Sequence, residues 1–336
     1  MLVSCVAFTA PRRAELIEVE QPTDDLSPTE VLVRTKLTLL SGGTEGAWFQ
    51  GQAVPGRPPM QYPFRTGYAN IGEVIALGAR VSGVALGDLV YTMSNHASVV
   101  RVDTAARVCA PVPVGLPPEQ AVFARLLTVP MASVRTAGVR AGDRSAVVGL
   151  GLVGNLGAQL LEACGLPVTA ADPIAARREL ARRCGIANTI DPTEPGAVRP
   201  AHRLVLECSG TAKGSITALA LAQLGGEVSL VGTPWVADAS VPSSDILVAV
   251  HTRYITLRSG WEWQLPIPSV ADQPPAVHQP GSITHNTAWA FELIRSGKVR
   301  VSELLTHHYR PSECQPAYEL AVDRKSEQLG AVYHWE

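Results

Sequence analysis

The segment Gly149-Leu150-Gly151-Leu152-Val153-Gly154 constrains the fold of this chain more than any other. It follows a short apolar run, Ser145–Val148, and opens a stretch rich in Leu and Ala, Val153–Cys164, with helical spacing. Strand, Gly-x-Gly-x-x-Gly turn and helix, in that order, are the context that gives the motif meaning. The first glycine makes the tight turn, the second lets the backbone approach a pyrophosphate, and the third lets helix and strand pack closely. The helix N-terminus then offers unpaired N–H groups and a positive dipole end to phosphate. The next apolar strand, Val168–Ala171, ends in Asp172. An acidic group there accepts hydrogen bonds from ribose hydroxyls and repels a 2′-phosphate. Glycines alone could be an incidental turn. The whole arrangement predicts an NAD site built from Gly149, Gly151, Leu152, Val153, Gly154 and Asp172. Arg177 and Arg178 lie beyond the Asp, where they could partly accommodate a phosphate.

Strand and helix alternate around this motif. Residues 119–139 and Ala175–Cys184 have helical spacing, as does Gly214–Leu224. Leu204–Glu207, Glu227–Val231 and Ile255–Ser259 read as strands. Such a rhythm predicts a parallel sheet covered on both faces. Residues 1–118 read differently, as an all-β region punctuated by Gly67, Gly72, Gly78, Gly83 and Gly87. After Trp261 comes an irregular, Pro-rich stretch to about Asn286. A helix (Ala288–Ser296), a connector, a second helix (Gln315–Asp323) and a last strand (Gly330–Trp335) follow. A chain of 336 residues is long for one hydrophobic core, so two domains are expected.

The hydrophobic fraction of 46% and charged fraction of 17% argue for a globular chain. A net charge of −2 gives no reason to expect nucleic acid or an anionic membrane as partner. No run reads as a membrane span, and the apolar start lacks the basic front of a signal peptide. The cysteines Cys5, Cys109, Cys164, Cys184, Cys208 and Cys314 are scattered, with no Cys-x-x-Cys pair. A reduced cytoplasmic protein is the expectation.

Further residues carry a resemblance. Gly72-Glu73-Val74 with Gly78, Val81, Gly83 and Gly87-Asp88, then the glycine turn, Glu207-Cys208-Ser209-Gly210, and Gly225-Gly226 before Val231-Gly232-Thr233 all resemble the medium-chain dehydrogenase/reductase superfamily. The resemblance runs over essentially the whole chain. It implies an α/β fold: a GroES-like β domain of residues 1–118 and 262–336, with a doubly wound Rossmann NAD-binding domain, 119–261, inserted. It also implies that Ser209 and Thr233 flank the cofactor. Ser41-Gly42-Gly43-Thr44-Glu45 and Gly67-Tyr68-Ala69-Asn70-Ile71-Gly72 look most like the zinc-independent group around bacteriochlorophyllide hydroxyethyl dehydrogenase.

Zinc-using relatives place a Cys, a His and a Cys or Glu where this chain has Gly42 (or Ser41, if the register slips), Tyr68, and Arg125 or its immediate neighbour. That is no ligand set for zinc, so no metal is expected. The resemblance then makes Tyr68, Thr44 and His96 the candidates for acid/base work. Tyr68 is read either as a proton donor, its pKa lowered by Arg125, or as a filler of vacated space. Thr44 is a relay hydroxyl or a turn hydroxyl. His96 is a base beside the cleft or a hydrogen-bonded strand histidine. His307-His308 reads as structural.

Glu45 is expected to orient Arg125, to bind substrate, or to form a structural ion pair. Trp48, Trp235, and Trp261-Glu262-Trp263 are candidate substrate walls. Indoles stack on ring faces, and a carboxylate binds hydroxyl or ammonium groups. Together these features predict a zinc-independent, NAD(H)-dependent alcohol dehydrogenase. Its expected substrate is a small molecule with a secondary alcohol or ketone: a cyclic polyol, a sugar-like compound or a secondary metabolite. Two alternatives stay open, an NADPH-dependent enoyl or quinone reductase and a non-catalytic NAD-binding protein. An exposed sheet edge at Tyr254–Arg258 points to a homodimer.

Overall fold

The computed structural model describes residues 1–23, 25–53, 57–267, 281–323 and 327–335. The chain begins with β1 (Leu2–Ala10), β2 (Arg13–Glu20) and β3 (Glu30–Leu40), then a short helix α1 (Thr44–Phe49). There follow β4 (Phe64–Arg65), β5 (Asn70–Leu77), β6 (Leu89–Thr92), β7 (Val99–Asp103) and β8 (Cys109–Pro111). Helices α2 (Pro118–Ala121) and α3 (Ala124–Thr136) lead into β9 (Ser145–Val148), α4 (Leu152–Ala163), β10 (Val168–Ala171), α5 (Ala175–Arg183) and β11 (Thr189–Ile190). Next come β12 (His202–Glu207), α6 (Ala212–Leu221), β13 (Ala222–Leu230), α7 (Ser243–Thr252) and β14 (Thr256–Ser259). The tail holds α8 (Ile283–Arg295), β15 (Leu305–Tyr309), α9 (Cys314–Val322) and β16 (Gly330–His334).

Two principal sheets result. One has six strands in the order β11-β10-β9-β12-β13-β14, all parallel. The strands nearest its centre, β9 and β12, are short and almost wholly buried. That is the pattern of strands covered on both faces. The other sheet has seven strands, β15-β16-β3-β5-β6-β8, with β7 joined to β3. It is antiparallel except where β15 runs beside β16. It takes strands from both ends of the chain, and a small sheet, β2-β1-β4, lies with it. This is the medium-chain dehydrogenase fold, as the motifs led us to expect.

One hydrophobic cluster joins the two halves. It contains Leu37, Ile71 and Tyr91 from the antiparallel sheet, Leu126, Leu127 and Met131 from α3, Leu152, Leu156 and Leu160 from α4, and Phe291 and Ile294 from α8. Burial of each such side chain is worth about 1.5–3 kcal/mol. Helix α3 is therefore fixed on both sides, and the residues on its first turn are held firmly at the junction.

Some local expectations needed correction. The single helix expected over 119–139 is two, α2 and α3, because the chain bends at Val122-Phe123 to bury both side chains. Helix α6 ends at Leu221 rather than Leu224, because the polypeptide from Ala222 onward pairs with β12. Helix α7 was not foreseen: Ile246, Ala249 and Val250 pack against the core only in part, and Leu247 and Val248 on its other face are exposed. Strand β15 replaces part of the expected connector and carries His307 and His308. Of the Pro-rich stretch, residues 268–280 lie outside the described residues. No helix among the described residues is long and apolar enough to cross a membrane.

Candidate active site

A cavity of about 2050 Å³ opens between the two sheets. The carboxyl ends of the parallel strands line one side of it, at Gly149, Asp172, Cys208-Ser209 and Val231–Thr233. Ligands of open parallel sheets bind in that crevice. Gly149 has φ +89, a conformation that favours glycine, and an added Cβ would lie 2.8 Å from the Ser209 backbone. A Cβ on Gly154 would collide with the Gly149 carbonyl oxygen at 1.8 Å. Gly151 instead faces open space, and no side chain caps the helix that begins after it. These are the features of a pyrophosphate cradle, so the residues fit a dinucleotide.

Asp172 is buried. Its Oδ2 accepts from the Leu150 N–H at 2.7 Å, and its Oδ1 accepts from the Ile174 N–H at 2.8 Å. Strand end and glycine turn are thereby locked together, with Arg177 3.7 Å away from the carboxylate. Leu152, Val153, Arg177 and Thr233 also line the cavity. Ser209 donates its hydroxyl to Glu207, which also accepts the Ser209 N–H at 2.8 Å. Burial pushes the Glu207 carboxyl up, and those hydrogen bonds pull it back. Ser209 therefore shapes its loop in addition to lining the cavity.

The opposite wall is different in character. Ser41, Thr44, Tyr68 and Arg125 all face the cavity. Tyr68 donates to Ser41 Oγ, and Thr44 beside it favours the ionised phenol. The Arg125 guanidinium lies over the Tyr68 ring, 4.8 Å from its centre. Arg125 in turn forms a two-point ion pair with Glu262, one arm at 2.8 Å. Both partners are buried. Burial works against the guanidinium charge, but Glu262 outweighs it and the arginine is held charged. Its Nε–H has no partner among the described residues.

A family model described as zinc-binding dehydrogenase matches residues 153–264. L-Threonine 3-dehydrogenase of Pyrococcus abyssi is 26% identical, over 91% of this chain and 91% of that one. The 2-desacetyl-2-hydroxyethyl bacteriochlorophyllide A dehydrogenase of Rhodobacter capsulatus is 29% identical, over 89% of this chain and 88% of that one. D-Guloside 3-dehydrogenase of Shigella flexneri is 29% identical, over 66% of this chain and 71% of that one. The solved structure of an Escherichia coli oxidoreductase/dehydrogenase of unknown specificity superposes over 100% of both chains, with a TM-score of 0.79 and 19% identity. The chain has the fold of the medium-chain dehydrogenases, and residues 153–264 are similar to the zinc-binding dehydrogenase family.

The superfamily implies a zinc ion, and the donor set here does not fit one. Gly42 offers no donor, Tyr68 a protonated phenol and Arg125 a cation that would repel the metal. Catalytic zinc takes three Cys, His or carboxylate ligands. Among the described residues no three such side chains come together.

At the site one expectation is corrected, and Glu45 and His96 take the structural one of their alternative readings. Arg125 does not lower the Tyr68 pKa overall. Burial, aided by the Glu45 charge, pushes the phenol up to about 12, against the pull of Arg125, Ser41 and Thr44. Glu45 neither orients Arg125 nor faces substrate. It is fully buried and accepts from the Ser41 N–H at 3.0 Å, Thr66 Oγ1 at 3.0 Å and Tyr318 Oη, with His96 Nε2 at 2.9 Å. It ties α1 to three distant segments. His96 is consumed by that same network and does not line the cavity.

Reasoning from sequence also missed Ser41 as a participant and Glu262 as the partner of Arg125. Only the fold brings residues 125 and 262 together. Glu262 was expected to bind substrate, but both its oxygens are engaged by Arg125. The indoles on either side of it remain available: Trp261 is 59% exposed and Trp263 46%, and both line the cavity. Trp48 packs edge-on against Tyr68, ring centres 6.2 Å apart, and Trp235 lines the far side. His307 and His308 are not among the lining residues.

Proposed function

We propose that this chain is an NAD(H)-dependent oxidoreductase that interconverts a secondary alcohol and a ketone without a metal ion. One observation carries the reading. Three hydroxyls, of Ser41, Thr44 and Tyr68, and a neutralised ion pair converge on the cavity into which the glycine turn opens. A bound nicotinamide would supply or accept the hydride. The chain then has to move one proton at the substrate oxygen, and a positioned acid/base group contributes about 10²- to 10⁴-fold. Tyr68 is that group. Arg125 holds the ring by its face, and Ser41 fixes the phenol oxygen.

The exposed indoles Trp261 and Trp263 support a ring-shaped, hydroxyl-bearing substrate, such as a cyclic polyol or sugar-like compound. The relatives named for dehydrogenation of D-guloside and L-threonine support a secondary alcohol. Initial rates with cyclohexanone, 2-butanone, myo-inositol, trans-1,2-cyclohexanediol and methyl glucoside test the reading. Turnover of at least one ketone or alcohol is expected. Turnover of only an enone or quinone would place the chain among enoyl or quinone reductases. Cofactor binding with no turnover would make it a non-catalytic binder.

NAD(H) is expected to bind at least about tenfold more tightly than NADP(H), because the buried Asp172 carboxylate disfavours a 2′-phosphate. Calorimetry with both cofactors measures the ratio, and tighter NADP(H) binding would refute this preference. We further propose a homodimer joined at β14, the edge of the parallel sheet. Leu247, Val248 and Tyr254 are exposed beside it, and an open edge flanked by apolar groups favours pairing. Sedimentation at micromolar concentration should give twice the chain mass; a monomer would contradict this.

A further inference from the structure

Proton counting at Tyr68 decides which group meets the substrate. A phenol has one hydrogen to donate and lone pairs with which to accept. Being a much stronger acid than an alkyl hydroxyl, it is the donor in a Tyr–Ser pair. Tyr68 donates to Ser41 Oγ, so its single hydrogen is committed. Ser41 keeps its own hydrogen, which has no acceptor among the described residues. Ser41 lies on the cavity wall between β3 and α1, only 5% exposed. Its N–H is pinned to Glu45 Oε1 at 3.0 Å, so the backbone is fixed while the hydroxyl hydrogen remains free to turn.

Building on the role given to Tyr68 above, we propose that Ser41 is the catalytic residue that touches the substrate oxygen, and that Tyr68 reaches that oxygen only through it. In ketone reduction the Ser41 O–H bond breaks as the carbonyl oxygen takes the proton. The Tyr68 proton moves onto Ser41 Oγ at the same time. The phenolate left behind, beside Thr44 and Arg125, regains a proton from water in the cleft. A reduced nicotinamide dinucleotide supplies the two electrons and the hydrogen at carbon. Alcohol oxidation runs the same transfers in reverse. Thr44 is a positioning residue here, because its place beside the phenol favours the charge that forms there.

The test compares wild type, Ser41→Ala, Ser41→Thr, Tyr68→Phe and the double variant Ser41→Ala/Tyr68→Phe, with cyclohexanone and NADH as probes. Ser41→Ala should lower kcat at least ~10-fold, and Ser41→Thr, which keeps a hydroxyl, should recover part of it. The double variant should be within about twofold of Tyr68→Phe alone, since members of one relay are not additive. Rates in mixtures of H2O and D2O should curve as two protons in flight require, and become linear in Ser41→Ala. A crystal structure of the unliganded protein gives a second readout without turnover. A cleft water should hydrogen-bond to Ser41 Oγ and none to Tyr68 Oη; water on the phenol alone would overturn the relay. So would wild-type kcat in Ser41→Ala together with an inactive Tyr68→Phe, an outcome that leaves the function itself standing. If both single variants keep full turnover, the relay and the role of Tyr68 fall together.

Discussion

Tyr68→Phe should lower turnover by about 10²-fold or more and leave NAD affinity nearly unchanged. The substitution keeps the ring that Arg125 covers and that Trp48 meets edge-on. It removes only the hydroxyl, and with it the proton that passes toward the substrate. The cofactor cradle, Gly149 to Gly154 with Asp172, lies on the other wall and is untouched. A variant that keeps more than about a third of the wild-type rate would show Tyr68 to be a space-filler, since loss of an acid/base group costs far more.

The pH profile carries the same signature. The phenol is held up to about 12, chiefly by burial, so it stays protonated across the working range. Ketone reduction needs that proton and should keep its rate to about pH 10. Alcohol oxidation needs the proton gone and should climb by about tenfold per pH unit below the pKa. A reduction rate that falls through neutral pH would point to a different acid.

Arg125→Ala should destabilise the fold by about 3–5 kcal/mol, measured as a fall in the urea midpoint. Glu262 would be left as a buried, unpaired carboxylate, and the Tyr68 ring would lose its cover. Removing both charges together is a different experiment. Arg125→Met with Glu262→Met leaves no orphan charge and should recover most of the loss, because the pair offsets its own desolvation. If the single and double variants are equally unstable, the loss comes from packing and not from the unpaired charge.

Elements with a strong local signal were legible in the sequence. The turn at Gly149, the strand ending at Asp172 and the parallel rhythm each rest on neighbouring residues, so the cofactor wall could be written down before the fold was seen. The opposite wall could not. Arg125 and Glu262 meet only because α3 and the segment after β14 pack together at the junction. Nothing near either residue announces the other. His96 is a case where the sequence leaves two readings open. A histidine beside a cleft looks like a base, but its imidazole turns inward to Glu45, whose other partners come from residues 41, 66 and 318. Helix α7 was missed for a third reason: apolar residues fall on both its faces, with Ile246, Ala249 and Val250 partly buried and Leu247 and Val248 exposed, so its periodicity is weak.

Metal content and turnover, measured on one preparation, test the central claim most directly. The protein is dialysed against a strong chelator, analysed for transition metals and assayed with NADH and the best ketone of the panel. The hydroxyl cluster at Ser41, Thr44 and Tyr68 predicts undiminished turnover from protein carrying far less than one metal ion per chain. About one zinc per chain, with activity lost to the chelator and restored by zinc, would contradict it.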